Sequence, residues 1–303
     1  MRFGCILPTL GPLGGPDALI RTAQRAEALD YHSIWVADRL LYPLAPRTPY
    51  PATPDGSLPE YFKRSMGPVE VLTFAAAHTR RITLGTSVLN MPFYNPVVLA
   101  RALATLDLLS GGRLRVGLGQ AWSADELEAV GADPKVRGPR GNEFISALKA
   151  MWGPDPVEFH GQHFRVARSI VGLKPVQRPH PPIYLAGYVG AALQRTARLA
   201  DGWLPANLPI AAMGHMAPQI QALVRQAGRD LGRFEIIYMA GSRITGAPLD
   251  EATRGPLCGS PAQVRADIGR LRDLGVTEVI GWSGGDTIDE MLANTARFRE
   301  AVK

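Results

Sequence analysis

The chain has 303 residues, 46% of them hydrophobic and 20% charged, the balance of a folded protein with a large core. A net charge of +6 raises nucleic acid as a partner, but the arginines are scattered singly with no basic run or aromatic-interleaved stripe, so that class is set aside. No apolar stretch approaches the ~20 residues of a membrane span, and two cysteines are too few for a disulfide framework, so a reducing cytoplasm is the expected location.

In chain order, Phe3–Leu7 reads as a first strand, entered with no signal-like leader. A helix over Asp17–Leu29 follows, its Leu19, Ile20, Ala23, Ala26 and Leu29 recurring at helical spacing. Ser33–Val36 is the second strand, and after it Tyr42–Met66 is long, proline-rich and aromatic. Loops beyond ~12–15 residues in a compact domain are commonly lids or binding loops. Pro68, a good first-turn residue, opens a helix over Val69–His78. The third strand, Ile82–Ser87, ends in small and polar residues (Gly85, Thr86, Ser87 and then Asn90) before Pro92 and Pro96 break it. Such an ending marks a pocket more than a core. The helix Val97–Leu109 stops at Ser110-Gly111-Gly112. Leu114–Leu118 is the fourth strand, followed by a helix over Asn142–Met151 and a hairpin over Val157–Val166. The remaining strands are Ile183–Leu185, Gly202–Leu204, Glu235–Ile244 and Glu278–Trp282; their helices are Ala191–Ala200, Met216–Ala227, Ala262–Leu274 and Ile288–Val302, with Gly246–Ser260 interrupting before the seventh helix.

Eight strands, each followed by a helix, predict an α/β protein: a single (β/α)8 TIM barrel over residues 1–303, with insertions after strands 2, 4 and 7. A doubly wound open sheet is the weaker alternative, because the first loop, TLGPLGG, lacks the G-x-G-x-x-G spacing.

In a closed barrel the carboxyl ends of all strands open on one face, where active sites sit. Delivered there are Pro8-Thr9, Asp38-Arg39, Ser87–Asn90, Gly119–Trp122, Gly187–Gly190, Pro205–Asn207 and Ser283–Asp286. Singly each has a plain explanation: Asp38 could cap a helix, and the glycines could merely turn the chain. Together they make a ring of small, polar and aromatic residues suited to a planar ligand bearing a phosphate. Gly187-Tyr188-Val189-Gly190 links a strand to a helix, where backbone N–H groups and the helix dipole favour an anion; a simple glycine turn is the competing reading. His160-x-x-His163 flanks a hairpin turn without a third ligand, so no metal is assigned. No serine lies in G-x-S-x-G and neither cysteine has an evident base partner. A pocket without its own nucleophile or metal suggests that a cofactor carries the reaction.

The stretch Leu84–Gly131, with IWVADRL at Ile34–Leu40, PPIYLAG at Pro181–Gly187, RLADGWLP at Arg198–Pro205 and GSPAQV at Gly259–Val264, resembles the bacterial-luciferase-like flavin and deazaflavin oxidoreductases. The similarity runs over nearly the whole chain and implies a TIM barrel. Within the family, GTSVL followed by YNP is more similar to the coenzyme F420-dependent branch than to the FMN-dependent monooxygenases. The resemblance implies a non-prolyl cis peptide at Ser87–Val88 behind the ring, with Thr86 beside it, and Asp38 at the ring's polar edge. It also implies Gly119, Gln120 and Ala121 along the ring and tail, and Gly187, Tyr188 and Val189 at the phosphate. This chain departs from the sugar-phosphate-oxidising branch at Arg39, where that branch carries His, and at Trp122. Arg39, Trp122 and Asn90 are therefore expected at the reacting centre, with Tyr42, Tyr50 and Trp282 touching the substrate and no protein carboxylate placed to take its proton.

The expected function is an F420-dependent oxidoreductase passing hydride between the deazaflavin and a small organic substrate. An FMN-dependent monooxygenase, a low-activity cofactor-binding barrel and an isomerase without redox cofactor follow in that order. A homodimer is a family expectation; neither membrane nor nucleic acid is expected as a partner.

Overall fold

A parallel strand buried on both faces reads as a continuous apolar run, and the eight such runs of this sequence form one closed sheet. The computed structural model describes Met1–Lys303. In chain order come β1 (Arg2–Ile6), α1 (Pro16–Ala28), β2 (Ser33–Val36), α2 (Pro68–His78), β3 (Thr83–Thr86), β4 (Leu89–Asn90), α3 (Pro96–Ser110) and β5 (Leu114–Gly119). Next are α4 (Ala124–Ala129), α5 (Arg137–Trp152), β6 (Val157–His160), β7 (Arg165–Ser169), β8 (Ile183–Leu185), α6 (Gly190–Leu199) and β9 (Gly202–Trp203). The chain ends with α7 (Ile210–Gln226), β10 (Glu235–Ile244), β11 (Cys258–Gly259), α8 (Pro261–Asp273), β12 (Glu278–Ser283) and α9 (Ile288–Ala301). The parallel order β1-β2-β3-β5-β8-β9-β10-β12 returns to β1, which closes the predicted (β/α)8 barrel. The insertions fall where expected: residues 37–67 after β2, the β6–β7 hairpin behind α5, and residues 245–260 after β10.

Several elements differ from the expectation. The third strand does not run unbroken to Ser87. It halts at Thr86, Ser87–Val88 is a cis peptide, and β4 resumes alongside β5 with Leu89 opposite Leu118. The helix expected from Asn142 starts at Arg137, carrying Pro139 in its first turn, where the missing N–H costs no helical bond. The helix expected from Met216 starts at Ile210 and runs through Pro218. The short helix α4 and strand β11 were not foreseen. Ser123 caps α4 by accepting from the Glu126 N–H, the Ser-x-x-Glu pattern of a helix start.

The main core lies between the sheet and its helices. Leu103 and Leu106 of α3 and Phe144 and Leu148 of α5 are fully buried there, each worth ~1.5–3 kcal/mol of transfer free energy. Trp35, Tyr184, Leu204, Ile237 and Ile280 fill the barrel interior, and Ile6, Val88 and Met239 pack on them toward the carboxyl end. The amino end is plugged by charge. Arg115 donates to Glu278, to Glu235 Oε2 at 2.6 Å and to the Tyr184 hydroxyl at 2.8 Å. Ser33 donates to Glu278 and accepts from Trp35 Nε1 at 2.6 Å, while Arg2 pairs with Glu235. No helix is long and apolar enough to cross a membrane.

Candidate active site at the carboxyl end of the barrel

Asp38 stands just past β2 and is buried. Its Oδ2 accepts from the Asn90 backbone N–H at 2.9 Å and from the Tyr94 hydroxyl at 3.1 Å. Burial pushes the carboxyl up to about 6, against the downward pull of those two hydrogen bonds. Near neutral pH this group is therefore poised to hold or release a proton. Asn90 is committed to the frame: its Nδ2 donates to the Asp38 carbonyl at 3.2 Å and its Oδ1 accepts from the Ala121 N–H at 3.2 Å. It ties the end of β2 to the end of β5.

Thr86 also serves the sheet. Its hydroxyl donates to the Gly117 carbonyl and accepts from the Gly117 N–H, replacing ladder bonds where β3 stops. Beyond it, Val88 faces Gly119 so closely that a Cβ on Gly119 would lie 2.5 Å from Val88 Cγ2. Only a bare backbone lets the Ser87–Val88 bulge nest against β5. The Ser87 hydroxyl points to Met239 Sδ at 3.3 Å, so Ile6, Val88 and Met239 form an apolar floor to the mouth.

Arg39 is buried with its guanidinium carbon 4.7 Å from the ring centroids of both Phe62 and Trp122. Its Nη1 pairs with Glu126 Oε2 at 3.1 Å, and Glu126 Oε1 accepts from the Leu40 N–H at 2.8 Å. The helix α4 thus brings a carboxylate against Arg39 that sequence reasoning did not place there. Trp122 follows Ala121, which has a positive φ of 55°. Tyr50 packs on Trp122 at 5.3 Å and on Phe62 at 5.2 Å; Tyr61 meets Phe62 at 4.9 Å and Trp282 at 5.3 Å. Five rings thus make a continuous arch from the end of β5 to the end of β12. Tyr42 stands apart from it, its hydroxyl reaching the Leu58 carbonyl and Glu60, with Lys63 over its ring.

Tyr50, Tyr61 and Phe62 of the arch belong to the loop over residues 40–66, which lies across the mouth. Main-chain bonds from Gly11 to Arg64 and from Met66 to Thr9 fasten one margin. Arg47 fastens the other through Asp125 at 2.8 Å and through Glu128.

On the far side of the mouth, Gly187 has φ of 134° and its carbonyl accepts from Trp203 Nε1 at 3.0 Å. The Tyr188 hydroxyl donates to the Ala206 carbonyl and accepts from the Ala206 N–H. With the loop pinned this way, the N–H groups from Gly187 through Ala191 have no acceptor within the chain. They sit at the head of α6, a ten-residue helix, where the dipole favours an anion.

Buried polar side-chain atoms lacking a hydrogen-bond partner are Thr9 Oγ1, Thr22 Oγ1, Ser65 Oγ, Arg39 Nε and Nη2, and the Gln120 amide. All except Thr22 belong to this mouth or its lid. Buried polar atoms are nearly always satisfied, so their clustering marks where a ligand's polar groups belong. Two cavities of about 380 and 350 Å³ open instead at the amino end. Part of their polar lining is already paired: Glu27 accepts from the Arg80, Arg81 and Ile82 N–H groups, and Arg113 donates to the Ala76 and Ile82 carbonyls.

The sequence-predicted residues Asp38, Arg39, Asn90, Gly119, Gln120, Ala121 and Trp122 all gather around the ends of β2, β4 and β5, with Tyr50 above and Trp282 across the arch. Sequence reasoning missed Tyr94, Glu126, Tyr61 and Phe62. The Ser123-x-x-Glu126 capping pattern was the available signal for Glu126, and the tyrosine of YNP for Tyr94.

Relatives are consistent with this geometry. An uncharacterized protein of Mycobacterium tuberculosis is 34% identical over 235 residues, covering 76% of this chain and 80% of the relative. The F420-dependent glucose-6-phosphate dehydrogenase of Amycolatopsis mediterranei is 32% identical over 63% of this chain and 53% of its own length. The FMNH2-dependent dimethylsulfone monooxygenase of Pseudomonas putida is 35% identical over 41% of this chain and 35% of its own length. Among solved structures, monooxygenase RslO1 from Streptomyces bottropensis superposes with a TM-score of 0.83 at 24% identity, covering 100% of this chain and 98% of that one. An F420-dependent secondary alcohol dehydrogenase gives 0.79 at 17% identity, covering 100% and 99%; at such identities the likeness shows the shared barrel. The family model for luciferase-like monooxygenases matches residues 1–255, and the chain belongs to that family.

Proposed function

We propose that this chain is an F420-dependent oxidoreductase acting on a small organic substrate, with FMN as the alternative cofactor. The observation that carries the reading is the paired arrangement at the mouth. An apolar floor of Ile6, Val88 and Met239 lies beside the buried Asp38 carboxyl, and the acceptor-free N–H groups of Gly187 through Ala191 stand at the head of α6. These residues fit a flat ring with a phosphate-bearing tail. When bound, the cofactor would supply hydride transfer.

The protein's own contribution is positional. Asp38 holds a proton near the ring's polar edge, with Tyr94 and Asn90 setting its direction. The lid over residues 40–66 excludes water, and the unpaired amides receive the phosphate. Three considerations favour F420. The F420-dependent relative matches a longer share of this chain than the FMNH2-dependent one. GTSVL and YNP resemble that branch, and a net charge of +6 suits an acidic tail. The FMN reading is supported by the FMNH2-dependent relative, and a carbon in place of N5 leaves the deazaflavin poorly reactive with oxygen.

Fluorescence titration of the purified protein with F420 and with FMN tests the choice. Saturable F420 binding in preference to FMN, with no oxygen consumption by the reduced complex, is expected. Preference for FMN with oxygen uptake would install the monooxygenase reading instead. Binding of neither would remove both.

A further inference from the structure

The guanidinium of Arg39 is fixed on three sides. Its central carbon lies 4.7 Å from the ring centroids of Phe62 and Trp122, and Glu126 holds Nη1 at 3.1 Å. Nε and Nη2 are left, buried and without a partner. These two nitrogens share one edge of the planar group, and their N–H bonds run parallel. That edge is the fork that receives a carboxylate in bidentate fashion. In the closed form its orientation is set by the two rings and by Glu126.

Glu126 does not use up the charge of Arg39. It meets the guanidinium through one oxygen only, while the other accepts from the Leu40 N–H. Around the fork lies the arch of Trp122, Tyr50, Phe62, Tyr61 and Trp282, which offers broad ring faces with tyrosine hydroxyls and indole N–H groups at their edges. A flat apolar body ending in a carboxylate would find both its needs met.

We infer that the substrate of this site is an aromatic or similarly flat apolar carboxylic acid, its carboxylate held by the Nε–Nη2 edge of Arg39 and its body under the aromatic arch. This deepens the proposal above, since it rests on the mouth being the reaction site, and it names the substrate class. Arg39 acts as the specificity-determining residue, and the lid lifts to admit the acid because both nitrogens are covered in the closed form.

The test is equilibrium binding, read by calorimetry and by quenching of tryptophan fluorescence, in the cofactor-loaded protein and in the cofactor-free protein. The probes are benzoate, cinnamate and 2-naphthoate, each against its carboxamide. At least one acid should bind about tenfold or more tighter than its amide, and Arg39→Lys, which keeps the charge but loses the fork, should lose about tenfold for that acid. Because Arg39→Met alone strands Glu126, the pair Arg39→Met with Glu126→Gln is also made, and folding is checked by circular dichroism. This pair should abolish the preference for acid over amide while still binding the amide. The inference is overturned if every amide binds as well as its acid, or if the double variant keeps the preference. No turnover is needed, so a failed carboxylate preference is distinguishable from a failed cofactor titration.

Discussion

The two ends of the barrel contain similar residue types used in opposite ways. At the amino end, Arg115, Glu278, Glu235, Tyr184, Ser33 and Trp35 satisfy one another, and Arg115 and Glu278 are shut from solvent. At the carboxyl end, Arg39 and Glu126 form an equally buried pair, yet two donors of Arg39 and both polar atoms of the Gln120 amide are left over. A closed ionic network is architecture; one with unused donors under a lid is a binding site. Burial of charge alone does not tell them apart. The count of unmet hydrogen bonds does.

The largest effect should come from the amino end. Arg115→Met leaves Glu278 and Glu235 without their shared cation, and stripping one partner from a buried pair costs about 3–5 kcal/mol. Denaturant unfolding should show that loss, while the folded fraction keeps its cofactor affinity. A loss of cofactor binding without a loss of stability would erase the contrast between the ends.

Next is the pH response of Asp38. Its folded value of about 6 lies above the 3.8 of an unperturbed carboxyl, so the folded state binds the proton more tightly than the unfolded chain. The stability this contributes is fully present below pH 3.8 and is lost as pH rises through about 6. The stability of the wild type minus that of Asp38→Asn should therefore fall by on the order of 2 kcal/mol between pH 4 and pH 8. A flat difference would mean that Asp38 is not held in an environment hostile to its charge.

A somewhat smaller effect is expected at the loop proposed to receive the phosphate. Gly187→Val forces a side chain onto a φ of 134° and sets its Cβ 2.7 Å from that of Ala192. The shift of the loop should weaken cofactor binding by about tenfold, at a backbone cost of ~1–3 kcal/mol. Fluorescence titration measures the first and thermal unfolding the second. The smallest change is Tyr94→Phe, which removes one donor to Asp38 and should cost ~1 kcal/mol. The same substitution should raise the Asp38 titration further, detectable as a displaced pH dependence of stability.

The barrel was legible because each strand is a short apolar run with a helix behind it, and that alternation has few solutions. Asp38, Gly119 and Trp122 were legible for the same reason, since a residue just past a strand in such a fold must face the mouth. Glu126 and Tyr94 were not, because each reaches the site from the following helical segment and its direction depends on a local turn. Ser123 capping α4 turns Glu126 under Arg39, and the short 3-10 turn over Met91–Phe93 carries Tyr94 to Asp38. The amino-end network was invisible because its members are spread over five strands far apart in the chain, and only strand register brings them together. Tyr42 shows the converse: a tyrosine on the lid that the backbone turns outward.

The lid's two margins include contacts of different kinds. Bonds between peptide groups along the β1 side do not respond to electrolyte, whereas Arg47, half exposed where it grips Asp125 and Glu128, is the kind of contact that mobile ions weaken. Rising ionic strength should therefore loosen the grip of Arg47 first, while the bond from Leu40 to the buried Glu126 holds.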